Sequence, residues 1–113
     1  MHEVSLMEST LEIAVRSAQQ QGASRIHQLT LRVGQLSGVI PEALEFAFEV
    51  VRQGTLADQA KMVIESVPAL CHCGHCDRDF QPDDYIYDCP SCHQLCSDLR
   101  QGKELELVSL EVS

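Results

Sequence analysis

Basic residues are scarce. Eight lysines and arginines stand against seventeen aspartates and glutamates in 113 residues, a formal charge of −9. A nucleic-acid binder needs a basic patch to displace counterions, and none is visible. An anionic membrane surface is disfavoured for the same reason. Long apolar runs are also missing, and none approaches the roughly 20 residues of a membrane span. The opening residues Met1-His2-Glu3-Val4-Ser5 have neither a basic nor an apolar segment of the kind a signal peptide carries. The expected compartment is therefore the cytoplasm, a reducing environment in which clustered cysteines signify metal rather than disulfides. No Gly-rich phosphate loop and no motif framing a nucleophile is found, so nothing points to an enzyme.

What the chain does have is cysteine, all of it in one place. The six cysteines lie between Cys71 and Cys96. Cys73, Cys76, Cys89 and Cys92 make the pattern C-x2-C-x12-C-x2-C. Two such knuckles offer four thiolates to one tetrahedral ion, the donor set of a structural zinc ribbon. A redox dithiol pair and an iron–sulfur cluster are the competing readings, and two separated pairs at ribbon spacing favour zinc. Cys71 and Cys96 are left over as spare thiols or alternate ligands. His72, His75 and His93 lie beside the knuckles, as groups supporting the ligands or as substitutes for a cysteine. Within residues 69–99, Asp77, Asp79, Asp83, Asp84, Asp88 and Asp98 face the lone basic residue Arg78.

Periodicity places the rest. Val4, Met7, Leu11, Ala14, Val15 and Ala18 recur at helical spacing, widened by Leu6, Thr10 and Ile13, and Gly22 ends that helix. Arg25 to Val33 alternates as a strand, with His27 in phase with Leu29 as a satisfied edge or core residue. Pro41 opens a second helix whose stripe is Leu44, Ala47, Phe48 and Val51, broadened by Phe46 and Val50, and Gly54 stops it. Lys61 to Val67 and Lys103 to Val112 read as strands. The second of these shifts phase after Leu107, which predicts a bulge or a change of packing partner. The fold class is α/β (α+β): a small three-stranded sheet with two helices, plus an inserted zinc-ribbon domain. Residues 1–68 and 100–113 form the α/β domain, and residues 69–99 the ribbon, whose folding would depend on its metal.

The other end of the chain offers nitrogen. Met1 is expected to be retained because His2 is too large for the trimming aminopeptidase, leaving a free α-amine of pKa about 7.7–8.0. That amine, the His2 amide and imidazole, and the Glu3 amide can form a planar four-nitrogen set. Such a set suits Ni(II) or Cu(II) rather than zinc. By itself a histidine at this position is also read as an ordinary exposed terminal residue.

Met1-His2-Glu3 before an amphipathic helix resembles the start of the HypA family of hydrogenase maturation factors. So does Gly34-Gln35-Leu36-Ser37-Gly38-Val39 running into Pro41-Glu42-Ala43-Leu44 and Phe46-Ala47-Phe48-Glu49. The knuckles, with Cys89-Pro90-Ser91-Cys92 second, and the closing segment from Gly102 to Val112 are similar to the family's zinc ribbon and last strand. The resemblance spans essentially the whole chain. It implies a nickel metallochaperone that delivers Ni(II) to the large subunit of [NiFe]-hydrogenase, with a nickel site at Met1, His2 and Glu3. It implies structural zinc at Cys73, Cys76, Cys89 and Cys92. The implied partners are the HypB GTPase, the hydrogenase large subunit and, in some relatives, urease maturation proteins, with the chain a monomer or homodimer. Where some relatives carry a histidine two residues after the first cysteine pair, this chain has Arg78. The alternative reading is a zinc-ribbon protein-interaction adaptor without nickel function.

Overall fold

The computed structural model describes every residue except Met1, His2, Asp84 and Tyr85. The elements run α1 (Glu3–Gln20), β1 (Ile26–Gly34), α2 (Pro41–Val51), β2 (Lys61–Val67), β3 (Leu70–Cys73), β4 (Arg78–Phe80), β5 (Asp98–Gln101) and β6 (Leu105–Val112). They form two three-stranded sheets, ordered β2-β1-β6 and β4-β3-β5. The chain divides into two compact units: Met1–Arg32, Val39–Glu65 and Glu106–Ser113 make the first, and Val33–Gly38 and Ser66–Leu105 the second.

In the first unit the core is drawn from both helices and the central strand. Met7, Leu11, Ala14 and Ala18 recur along one face of α1, and all are buried. Leu44, Ala47 and Phe48 do the same on α2. Ile26, Leu29 and Leu31 of β1 complete the core. Burying each large side chain among these stabilises the unit by about 1.5–3 kcal/mol. Because β1 lies between β2 and β6, its polar positions are covered too, and Thr30 is buried although the alternating pattern put it outside. Arg32 stretches across that sheet to Glu65 at 3.4 Å and Glu106 at 3.8 Å, both exposed pairs of small energetic weight. Arg25 and Ser113 exchange backbone hydrogen bonds of 3.1 and 3.0 Å, the mutual pairing of antiparallel neighbours.

Helix ends follow the sequence signals. At the end of α1, Gly22 takes φ +73. The Ala23 N–H donates to Ala18 O at 2.9 Å and the Gly22 N–H to Gln19 O at 3.0 Å. These two bonds are a Schellman closure, which needs a left-handed residue at that point. Pro41 starts α2, where a missing N–H costs nothing. No side chain of Ile40 caps that helix. Instead the Ile40 N–H donates to Glu3 Oε2 at 3.4 Å, which places the start of α1 beside the start of α2.

Several expected core positions lie outside it. Phe46 is 72% exposed and Val50 52%, so α2 does not bury the apolar breadth its sequence suggests. Phe46 is two residues from Leu44 and Phe48, a spacing that puts it on another face of the helix. Val4 and Ile13 of α1 are likewise exposed. In β6 the inward positions are Leu105 and Leu107, then Leu110 and Val112, with Val108 and Ser109 both exposed. The phase shift is therefore present, but Val108 is outside. His27 lies on the central strand, exposed and bonded to Ser113 Oγ at 2.6 Å, so it is a satisfied surface residue and neither an edge nor a core one.

Candidate metal centre

The second unit builds its sheet from three short strands. β3 pairs antiparallel with β4, setting Cys71 against Phe80, His72 against Asp79 and Cys73 against Arg78. It pairs antiparallel with β5 on its other side, with an irregularity between Leu70 and Cys71. The first knuckle is the turn that links β3 to β4. The second is closed by an isolated bridge between Asp88 and Leu95. There the Cys89 N–H donates to Gln94 O at 3.1 Å and the His93 N–H to Cys89 O at 2.8 Å. Each knuckle turns on a left-handed residue directly after its second cysteine, Asp77 at φ 52 and His93 at φ 61. Asp and His are among the non-glycine residues that enter that region most readily.

These turns bring Cys73, Cys76, Cys89 and Cys92 together, with all four sulfurs within 4.8 Å of one another. Cys73 and Cys92 sulfurs are 3.6 Å apart and those of Cys76 and Cys89 are 4.0 Å apart. Four bonds of about 2.3 Å at tetrahedral angles imply sulfur separations of about 3.8 Å. The donor set thus fits a tetrahedral thiophilic ion such as zinc. Cys73 and Cys89 are buried, and Cys76 and Cys92 are half-buried. No other group of three or more His, Cys, Asp or Glu donors converges in this way among the described residues.

Electrostatics favour the same conclusion. The backbone N–H of Cys76 lowers the Cys73 thiol to about 6, outweighing its desolvation. A hydrogen bond with Cys92, together with burial, pushes Cys76 up to about 12. Burial first, and then the neighbouring Cys73, raises Cys96 to about 11. One thiolate forms readily, and each further negative charge in the same space is resisted. A divalent cation removes that conflict by drawing off the protons.

The surrounding residues sort themselves by contact. Both ring nitrogens of His72 meet carboxylates, Nδ1 with Asp79 at 2.7 Å and Nε2 with Asp77 at 3.3 Å. His72 therefore braces the first knuckle and supports the cysteines through the turn rather than through a sulfur. His75 and His93 are exposed. Cys71 is fully buried in the strand, and burial raises its thiol. Cys96 directs its thiol to Gln94 O at 3.6 Å and lies outside the four-sulfur group.

At the other end, Met1 and His2 lie outside the described residues. Glu3 is the first residue of α1, half-buried, with its carboxylate on the Ile40 N–H at 3.4 Å. No helix among the described residues is long and apolar enough to cross a membrane.

A family model described as hydrogenase/urease nickel incorporation, metallochaperone, hypA matches residues 1–112. A hydrogenase maturation factor HypA of Picosynechococcus sp. is 54% identical over 112 residues, covering 99% of each chain. The hydrogenase maturation factor HypA of Geobacter metallireducens is 40% identical, again over 99% of each chain. Among solved structures, the Ni metallochaperone HypA from Helicobacter pylori superposes with a TM-score of 0.70 at 28% identity, covering 99% of this chain and 97% of that one. A second solution structure of a HypA protein gives a TM-score of 0.72 at 27% identity, with 100% and 97% covered.

Proposed function

The chain belongs to the HypA family of nickel-incorporating hydrogenase maturation factors, and from that premise we propose that it binds Ni(II) at Met1, His2 and Glu3 and delivers it to the large subunit of [NiFe]-hydrogenase. The observation that carries this reading is the family match, which covers residues 1–112 and so takes in Met1, His2 and Glu3. The α-amine, the His2 amide and imidazole, and the Glu3 amide supply four nitrogens in the planar arrangement that Ni(II) prefers. Glu3 suits the role because the first N–H groups of a helix have no partner four residues back. Its carboxylate is engaged at Ile40, which leaves the amide as its donor. Binding expels protons, so affinity falls as pH falls. A site at the chain end lets a receiving protein replace the ligands one at a time. His2 carries the indispensable side chain.

In the same reading Cys73, Cys76, Cys89 and Cys92 hold structural zinc, residues 69–99 form a ribbon domain, and residues 1–68 and 100–113 form an α/β domain. The zinc supplies fixed cross-links to a segment with few apolar side chains of its own. The protein works in the cytoplasm with the HypB GTPase, and in organisms with urease also with that enzyme's maturation proteins.

Nickel titration followed by calorimetry tests the central claim on the native chain, on His2→Ala and on a chain with residues added before Met1. One nickel per chain is expected in the native protein and none in either variant, while zinc content stays unchanged. Unaltered nickel binding in both variants would show that the terminal site is wrong.

A further inference from the structure

The last strand of the chain is an open sheet edge. The order β2-β1-β6 leaves one side of β6 without a neighbouring strand. Ser113 exchanges hydrogen bonds with Arg25, and the next residue along β1, Ile26, turns its N–H the other way, to Leu56 O at 2.9 Å. The N–H and C=O of Val112, one residue before Ser113, therefore point away from β1 to the open side, since alternate residues of an antiparallel ladder face opposite neighbours. Natural edges are blunted by lysine, proline or inward charge. The opposite edge, β2, begins on Lys61 and runs into Pro68. The eight residues of β6 include neither lysine nor proline, and their inward positions are Leu105, Leu107, Leu110 and Val112.

A groove of about 410 Å³ opens beside this edge, between Leu107, Leu110 and Val112 of β6 and Ser17, Ala18 and Gln21 at the end of α1. All of these residues belong to the first unit. The other face of β6 exposes Glu106, Val108 and Glu111. Arg32 reaches Glu106 at 3.8 Å, whereas Glu111 has no ion pair among the described residues.

We propose that β6 accepts an extended segment of a partner protein as a fourth strand, one in which apolar residues alternate with lysine or arginine. Main-chain hydrogen bonds to the outward groups of Val112 supply the pairing, and the period of two sorts the side chains. Apolar residues on one face enter the groove over Leu107, Leu110 and Val112. Cations on the other face lie across from Glu111 and Glu106, where opposite charges on neighbouring strands attract. A second copy of this chain is the wrong occupant. Two β6 strands paired antiparallel along their full length, Leu105 opposite Val112, would set Glu106 opposite Glu111 twice, on chains that each carry a formal charge of −9. Like charges directly opposite are destabilising.

The test uses the full chain and a synthetic peptide of alternating valine and lysine. Fluorescence anisotropy gives the affinity, and amide chemical shifts locate the site. The peptide is expected to bind with shifts confined to β6 and the end of α1. Replacing its lysines with glutamate, or N-methylating the amides that face the edge, should each weaken binding about tenfold. Glu111→Lys should weaken the lysine peptide several-fold and strengthen the glutamate one. Val112→Pro removes an outward N–H and spares the bonds to β1, so circular dichroism should stay unchanged while binding falls about tenfold. Should that variant not fold, Glu111→Lys, a surface change, and the N-methylated peptide decide the matter. No binding of the lysine peptide, shifts centred away from β6, equal affinity for the lysine and glutamate peptides, or no loss on N-methylation would overturn the proposal. So would sedimentation showing that the chain alone dimerises with new amide protection along β6, because the occupant would then be a second copy.

Discussion

Gly34 and Gly102 occupy each other's space. A Cβ built on Gly34 would overlap the carbonyl group of Gly102 and come within 2.7 Å of the Glu104 N. Two hydrogen bonds hold the approach, from the Gly34 N–H to Glu104 O at 2.7 Å and from the Leu36 N–H to Gly102 O at 2.6 Å. Gly102 itself takes φ +124, and a Cβ there would lie 2.7 Å from the Ala69 Cα. Within the second unit, the end of β1 and the segment just before β6 thus meet through backbone alone.

Gly34→Ala should therefore destabilise the protein by about 1–3 kcal/mol, because overpacking against backbone leaves no flexible side chain to move aside. Gly102→Ala should cost a similar amount from its backbone conformation alone, about 1–3 kcal/mol, with the Ala69 contact added. Gly74→Ala is the control. Nothing lies within 4 Å of its built Cβ and its φ is not in the left-handed region, so its change should stay within about 0.5 kcal/mol. Urea denaturation of the three variants checks the order. Equal midpoints for Gly34→Ala and Gly74→Ala would show that the close approach relaxes without cost.

The metal cluster was legible in the sequence because ligand spacing along the chain is a local property. Cys73 with Cys76 and Cys89 with Cys92 each fold into one turn, so the pattern foretells the geometry. The sheet around it was not legible. Strands of three and four residues such as β4 and β3 are too short to show a period. Phe46 misled for a different reason: hydrophobicity was counted, but the angle around α2 decides which face is buried, and that face belongs to Leu44, Ala47 and Phe48. The nickel reading of Met1, His2 and Glu3 rests on the whole-chain resemblance, because a histidine in that position is by itself a weak pattern.

Cys89→Ala tests how far the ribbon depends on its metal. Cys89 is 2% exposed and sits 4.0 Å from Cys76, so the variant removes a buried ligand that nothing nearby replaces. Structural zinc contributes about 10–16 kcal/mol of apparent binding free energy in zinc-finger peptides near neutral pH, more than a strand trio of this size gains from packing. The variant should lose zinc and lose amide-exchange protection across residues 69–99. Helical circular dichroism should be largely retained, since α1 and α2 draw their core from Met7, Leu11, Leu44 and Phe48. Loss of the helical signal together with the zinc would show that the chain unfolds as one cooperative unit.

The Cys73 thiol gives the metal-free ribbon a pH dependence of definite sign. Its pKa falls from 9.0 to about 6 because the Cys76 backbone N–H donates to the thiolate. A depressed acid favours the folded state fully above its unfolded value, and that contribution is lost as pH falls through the folded one. The Cys73 thiolate therefore supports the metal-free fold above about 9, progressively less on the way down to about 6, and not below that. Cys76, raised to about 12, acts in the opposite sense, its contribution fading as pH rises from 9.0 toward that value. Under conditions where circular dichroism shows the metal-free ribbon folded, ultraviolet thiolate absorbance should show one group titrating near pH 6, absent in Cys73→Ser. With zinc bound, the four thiolates are already formed, so the same absorbance should stay flat until protons displace the metal. If circular dichroism shows the metal-free ribbon still folded while every thiol titrates near 9.0, the Cys76 N–H does not hold the Cys73 sulfur in solution as the structure places it.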